Sequence, residues 1–277
     1  MTQSQTAIVA LRDYMDRDDV KARLEQVLNK RAPQFAASIL SVVGANNMLQ
    51  KATPASIVSS AMVAATLDLP INSNLGFAYI VPYGGEAQFQ MGYKGFIQLA
   101  IRSRQYQTIS VTEVYDGQLV TSDPLRGDVF DWTKRDSDKV VGYVAYFRLT
   151  NGFEKQLFMT VEQLQEHGKK FSKSYGYDLR AGKKSSLWST DFDSMAKKTV
   201  VKLLISKWGV MSTELIQAVE KDQSVDDGTG MRYADNETPK PDQTPLTDEE
   251  KAARKQEAAD LAAKRKAEAA QEGEVVA

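Results

Sequence analysis

The chain has 277 residues, 42% of them apolar, and a formal net charge of −1. That is enough for a sizeable core in one large or two smaller domains. The neutral total hides a mildly basic body, with 26 Lys and Arg against 22 Asp and Glu up to residue 220, and an acidic tail with 9 against 14. With no cysteine, disulfides, thiolate metal sites and a Cys nucleophile are excluded. A single histidine, His167, excludes a two-histidine zinc site and leaves one residue for any Ser-His-Asp triad. His167 reads as an exposed residue near a helix end.

The first dozen residues lack the basic and then apolar regions of a signal peptide. The weakly polar run at 55–67 is too short to span a bilayer. The expectation is a soluble, cytoplasmic protein.

In chain order, residues 20–29 and 34–43 have helical spacing, with Pro33 between them as a break. Thr53-Pro54 supplies an N-cap and a first-turn proline for a helix to about residue 69, where Pro70 stops it. Two β-rich runs at 77–83 and 86–90 flank Gly84-Gly85 and form a predicted hairpin. A helix over 92–104 follows, then strands at 108–115, 129–133, 140–149 and 154–159, with Asn151-Gly152 as a hairpin turn between the last two. Thr160 and Gln163 are spaced as a capping box. A loop rich in glycine and lysine covers 169–186, and one long helix runs over 187–208. The fold class is α+β, an antiparallel sheet with packed helices. Residues 1–220 form the body, 221–246 a flexible linker marked by Pro239, Pro241 and Pro245, and 247–277 a small polar helical module.

Two elements carry a functional signal. In the helix over 92–104, Tyr93, Phe96, Ile97, Ala100 and Ile101 make the core stripe, and Lys94, Gln98 and Arg102 lie opposite. Gly92 and Gly95 allow close backbone approach at a helix N-terminus, which attracts anions. From 169 to 207 there are ten basic residues against three acids. Among them, Lys169, Lys170, Lys183 and Lys184 lie in the loop. In the helix, Trp188, Phe192, Met195, Ala196, Thr199 and Leu203 face the core, Lys198 and Lys202 the far side, and Lys197 flanks them. Tyr175 and Tyr177 interleave with the loop lysines as candidate base-stacking rings. Cations that follow phosphates, interleaved with rings, suit a single strand of nucleic acid.

Rival chemistries fit less well. The stretch Gly176 to Lys184 is one residue too long for a phosphate-binding P-loop, and Lys184 stands where a Ser or Thr would hold magnesium. No nucleotide cofactor and no metal are expected. A metal-dependent nuclease, the alternative reading, would have to use Asp128 and Asp131 beside Lys134, or Asp191 and Asp193. The first set sits in a strand-and-turn region, and the second at a helix start, where acids favour the dipole.

Three stretches resemble the RecT family of phage single-strand annealing proteins. They are residues 49–57 around Thr53-Pro54, residues 79–100 from Tyr79 through Lys94, and residues 188–199 from Trp188 through Lys198. The resemblance covers about residues 35–220. It implies ATP-independent annealing of complementary strands rather than catalysis, and a homo-oligomeric ring or helical filament. It also implies a core distantly like Rad52 and Redβ, and a DNA-contact role for Lys94, Arg102, Lys197, Lys198 and Lys202. Expected partners are single-stranded DNA and the annealed duplex. A phage exonuclease and a host single-strand-binding protein are expected at the C-terminal module, with no membrane involved.

Overall fold

The computed structural model describes residues 3–123, 125–222, 224–226 and 231–233, with residues 3, 4 and the last two segments as backbone only. Within these the protein is α+β, with antiparallel sheets and packed helices. The chain divides into two units, Met1–Asn236 and Glu237–Ala277. The expected helical module at 247–277 lies outside the described residues, as does most of the expected linker.

Four helices open the chain: α1 (Gln3–Met15), α2 (Asp18–Leu28), α3 (Ala32–Gly44) and α4 (Pro54–Thr66). Pro33 starts α3 rather than only separating two helices, because a first-turn proline gives up no helical hydrogen bond. Thr53 caps α4, accepting from Ser56 N–H. One face of α4 then fastens a hairpin, β1 (Ala78–Tyr83) with β2 (Glu86–Met91). Ser56 Oγ accepts from Ala87 N–H and Ser60 Oγ donates to Ala87 O, both at 2.9 Å. Gly84 and Gly85 both have positive φ, 55° and 87°, as the tight two-residue turn requires.

After α5 (Tyr93–Arg102), a three-stranded antiparallel sheet runs in the order β3 (Tyr106–Tyr115), β6 (Val140–Leu149), β7 (Glu154–Thr160). Between β3 and β6 lies a small arm, β4 (Leu119–Thr121) paired with β5 (Val129–Phe130). Asn151-Gly152 sits in a longer loop than expected. Leu149 N–H bonds to Phe153 O, and only Gly152 takes a positive φ.

Thr160 and Gln163 form the expected capping box at the start of α6 (Val161–Phe171). The expected loop that follows contains a helix, α7 (Lys173–Ala181), capped by Ser172 and ended by Gly182 at φ 63°. The expected single helix is two. The short α8 (Leu187–Thr190) ends at Asp191, whose backbone leaves the helical region and whose side chain caps α9 (Phe192–Trp208) by accepting from Ser194 N–H. The helix α9 packs on the three-stranded sheet and on α5, and α10 (Thr213–Lys221) also meets α5. Two short strands, β8 (Ser224–Asp226) and β9 (Met231–Tyr233), complete the described chain, with β8 lying beside β2.

The central position of α9 corrects the face assigned to it. Met195, Ala196, Lys198, Thr199, Val200, Val201, Leu204 and Ile205 are buried, so the helix is covered nearly all round. On α5 the stripe is rotated relative to expectation. Leu99 is buried with Phe96 and Ala100, and Ile101 is exposed.

Candidate nucleic-acid interface

The cations of α5 and α9 do different work from the loop cations. Lys198 is only 5% exposed. Its Nζ donates to Asp222 Oδ1 at 2.8 Å, and Lys202 donates to Asp222 Oδ2 at 2.9 Å. The same carboxylate accepts from Met91 N–H at 3.0 Å, which joins α9, the chain after α10 and β2 at one point. Burial pushes the Asp222 carboxyl up, but the charges of Lys198 and Lys202 outweigh it and hold the pKa below the usual range.

Lys197 is largely buried beside Tyr93 and bridges Glu113 and Asp193. Burial raises the Glu113 carboxyl, yet the Lys197 hydrogen bond prevails and brings it to about 2. Three lysines thus meet three carboxylates, and the cluster has no surplus charge to offer a phosphate. This corrects the expectation that Lys197, Lys198 and Lys202 share an open basic face.

Arg102 is also committed. Its guanidinium donates to Leu67 O at 2.9 Å and Asp68 O at 2.8 Å, satisfying carbonyls just past the end of α4. Of the expected stripe on α5, Lys94 is exposed, with its stem over Gly76, and Gln98 is half-buried. The glycines at the start of α5 serve the protein's own backbone. A Cβ on Gly92 would lie 2.0 Å from Gly76 O, and one on Gly95 2.2 Å from Phe77 O. Gly92 N–H is spent on Phe77 O, so this helix start is not the open anion site expected of it.

The open charge lies on α6, α7 and the connection to α8. From 169 to 184 there are six basic residues and one acid, Asp178. That acid is buried and holds the connection in shape. It accepts from Ser185 N–H and Oγ, Ser186 N–H and Ser189 Oγ. These bonds overcome the effect of burial and keep its pKa well below normal. The chain between Gly182 and Ser186 is thereby fixed with Lys183 and Lys184 exposed. Lys169 and Lys170 are exposed at the end of α6, Lys169 standing 3.6 Å from Glu166 in a solvated pair of little strength.

Tyr177 is 47% exposed and meets Lys183 Nζ at 3.1 Å. Tyr175, expected to stack on bases, is instead buried against Trp188, with ring centroids 5.8 Å apart and planes at 28°. His167 is half-buried between Phe171 and Trp188 rather than exposed, and burial lowers its pKa, helped by Lys202 and Lys170.

A cleft of about 360 Å³ opens beside this surface, between β2 and the α7–α8 connection. Its walls include Gln88, Gln90, Ser172, Ser186, Trp188 and Met195. Sequence reading missed Gln88 and Gln90. Alternation along β2 placed them on one face, but alternation by itself reads as a face turned to water.

The expected nuclease carboxylates are engaged locally. Asp131 accepts from Thr133 N–H and Oγ1, Asp128 accepts from Ser122, and Asp193 pairs with Lys197. Among the described residues no group of three or more His, Asp or Glu is placed to hold a metal ion. No helix among them is long and apolar enough to cross a membrane.

The profile of the RecT family matches residues 33–241. The chain belongs to the RecT family. The match begins in α3 and includes α5, the basic α6–α7 surface, α9 and Asp222. An uncharacterized protein of Bacillus subtilis (strain 168), YqaK, is 50% identical over 217 residues, 77% of this chain and 72% of its own length. Protein RecT of Escherichia coli (strain K12) is 29% identical over 178 residues, 61% of this chain and 62% of that protein. RecT-family membership marks a phage recombination protein and supports a role in recombination by single-strand annealing.

Proposed function

We propose that the protein binds single-stranded DNA and pairs it with a complementary strand without ATP and without a covalent step. The observation that carries this reading is the cation surplus fixed on α6, α7 and the α7–α8 connection, in a chain of the RecT family. Phosphates are held by Lys169, Lys170, Lys183 and Lys184, with Lys94 as a further contact and Tyr177 as an exposed ring. Base pairing supplies sequence recognition, so the protein needs none of its own.

Copies of the chain line up in a ring or helical filament, on a core akin to that of Rad52 and Redβ, so that the basic surfaces continue one another. The internal ion pairs of Lys197, Lys198 and Lys202 support that surface from beneath. The C-terminal module serves a recombination partner such as an exonuclease or a single-strand-binding protein.

Salt titration of strand binding tests the assignment. The log of affinity falls steeply with the log of salt for the native protein, by about 0.7 per phosphate contact for a single strand. Lys183→Ala with Lys184→Ala flattens that slope by roughly one to two contacts. An unchanged slope removes these lysines from the interface. Incubating labelled strands with magnesium or manganese separates annealing from nuclease action, since annealing leaves the strands intact.

A further inference from the structure

The strand β2 is buried on both faces. Ala87, Phe89 and Met91 point one way, and Gln88 and Gln90 the other, into the cleft. Gln88 is 5% exposed, and its Nε2 has no hydrogen-bond partner among the described residues. A buried donor left in that condition is destabilising, because it has given up water without gaining a partner. The neighbouring amide of Gln90 is scarcely better served, donating only to the thioether of Met195 at 3.3 Å. The fold therefore keeps two poorly satisfied amides in the wall of a cavity; the Gln88 Nε2 is itself closed to solvent, so a ligand acceptor would meet it on a turn of that side chain.

The cavity wall indicates the chemistry of that ligand. It presents serine hydroxyls, the three amides of Asn46, Gln88 and Gln90, and the rings of Tyr83 and Trp188, with no carboxylate and no ammonium group. A charged group would enter unpaired, whereas a flat, neutral, polar group would be matched. Cations stand just outside in the chain. Lys184 precedes Ser185, and Lys173 lies between Ser172 and Ser174, all three serines being in the wall. A neutral flat group attached to an anionic one is a nucleotide.

We propose that this cleft receives one base of the bound strand, and that Gln88 donates to the acceptor on its minor-groove edge, O2 of a pyrimidine or N3 of a purine. The inference rests on the strand-binding reading above. Every base carries that acceptor, so the contact is blind to sequence, and it leaves the Watson–Crick edge free for an incoming strand. A donor-only contact of this kind holds bases in presentation without choosing among them.

The test compares wild-type and Gln88→Leu full-length protein on oligonucleotides equal in phosphate number. The strands are deoxyadenosine, 3-deazadeoxyadenosine lacking N3, 7-deazadeoxyadenosine lacking N7, and an abasic backbone, read by fluorescence anisotropy at fixed salt. The native protein binds the 3-deaza strand about five- to tenfold more weakly than the parent and the 7-deaza strand equally well. Gln88→Leu erases the difference, leaves abasic affinity unchanged and leaves the free protein no less stable, because it removes an unpaired donor.

Equal binding of the parent and 3-deaza strands by native protein overturns the proposal, a result that needs no variant. So does discrimination that survives in Gln88→Leu, or a variant whose only defect is self-association, which would give the cleft to a second copy. In these cases strand binding itself still stands. Failure of the native protein to bind any of the strands removes the strand-binding reading and the inference together.

Discussion

Asp222 illustrates how far a single carboxylate can determine what neighbouring cations do. Both its oxygens are bonded to lysines and one also to Met91 N–H, and its side chain is wholly buried. Replacing one member of a buried pair leaves the other charge stranded, at about 3–5 kcal/mol. Lys198→Ala should therefore destabilise the fold in urea unfolding, by less than that because Lys202 and Met91 N–H still hold the Asp222 carboxylate. Lys198→Met combined with Asp222→Asn should recover more than half of the loss, because Asn still accepts from Met91 N–H.

The pH dependence follows from the same residues. Glu113 is held at about 2 and Asp222 below its ordinary value, so each contributes stability that is present above the unfolded carboxylate range. That stability is lost as pH falls, for Glu113 between about 4.5 and 2. His167 adds an earlier loss. Its folded pKa is lowered, so protonation of the unfolded chain begins to draw the protein apart just below pH 6.5. Acid unfolding of Glu113→Gln should show a smaller stability change between pH 4.5 and 2 than the native protein. An unaltered curve would show that the Lys197 contact contributes nothing.

At the level of elements, the features legible in the sequence are those whose cause is local. The cap at Thr53, the box at Thr160 and Gln163, and the Gly84-Gly85 turn depend on residues within a few positions of one another. The break at Asp191 also had a local signal, an aspartate able to accept from Ser194 N–H, but the helical periodicity on either side concealed it. What could not be read depends on distant chain. The burial of Lys198 requires Asp222, 24 residues away, and Arg102 is claimed by carbonyls 34 and 35 residues before it. A lysine on a helix reads as solvated until its partner is known.

The start of α5 gives a contrast between two glycines. Gly92→Ala places a methyl group against Gly76 O and should cost about 1–3 kcal/mol or more, since backbone on both sides must yield. Gly182→Ala meets nothing within 4 Å, so only its left-handed φ of 63° is penalised, by about 1 kcal/mol. Thermal unfolding of the two variants should rank them in that order.

For the whole molecule, the net charge of −1 is a poor guide to what the surface offers. Carboxylates cancel Lys197, Lys198 and Lys202 of α9 inside, and the tail cancels the body in the total. On the proposed reading, the charge offered to a strand is the exposed surplus on α6, α7 and the α7–α8 connection. The prediction at this scale is a dissociation between two sets of lysines. Lys169→Ala with Lys170→Ala should weaken strand binding while leaving the melting temperature within about 2 °C, as surface changes do. Lys198→Ala should lower the melting temperature and act on binding only through the loss of folded protein. Equal effects of the two on both measurements would remove the distinction.

The position of Asp222 also determines where the chain can be shortened. A fragment stopped at residue 220, where composition alone would end the body, deprives Lys198 and Lys202 of their counterion Asp222 and frees Met91 N–H on β2. One stopped at residue 236 retains it. A protease ladder across this stretch should accordingly yield a durable core whose C-terminus falls after, never before, that aspartate.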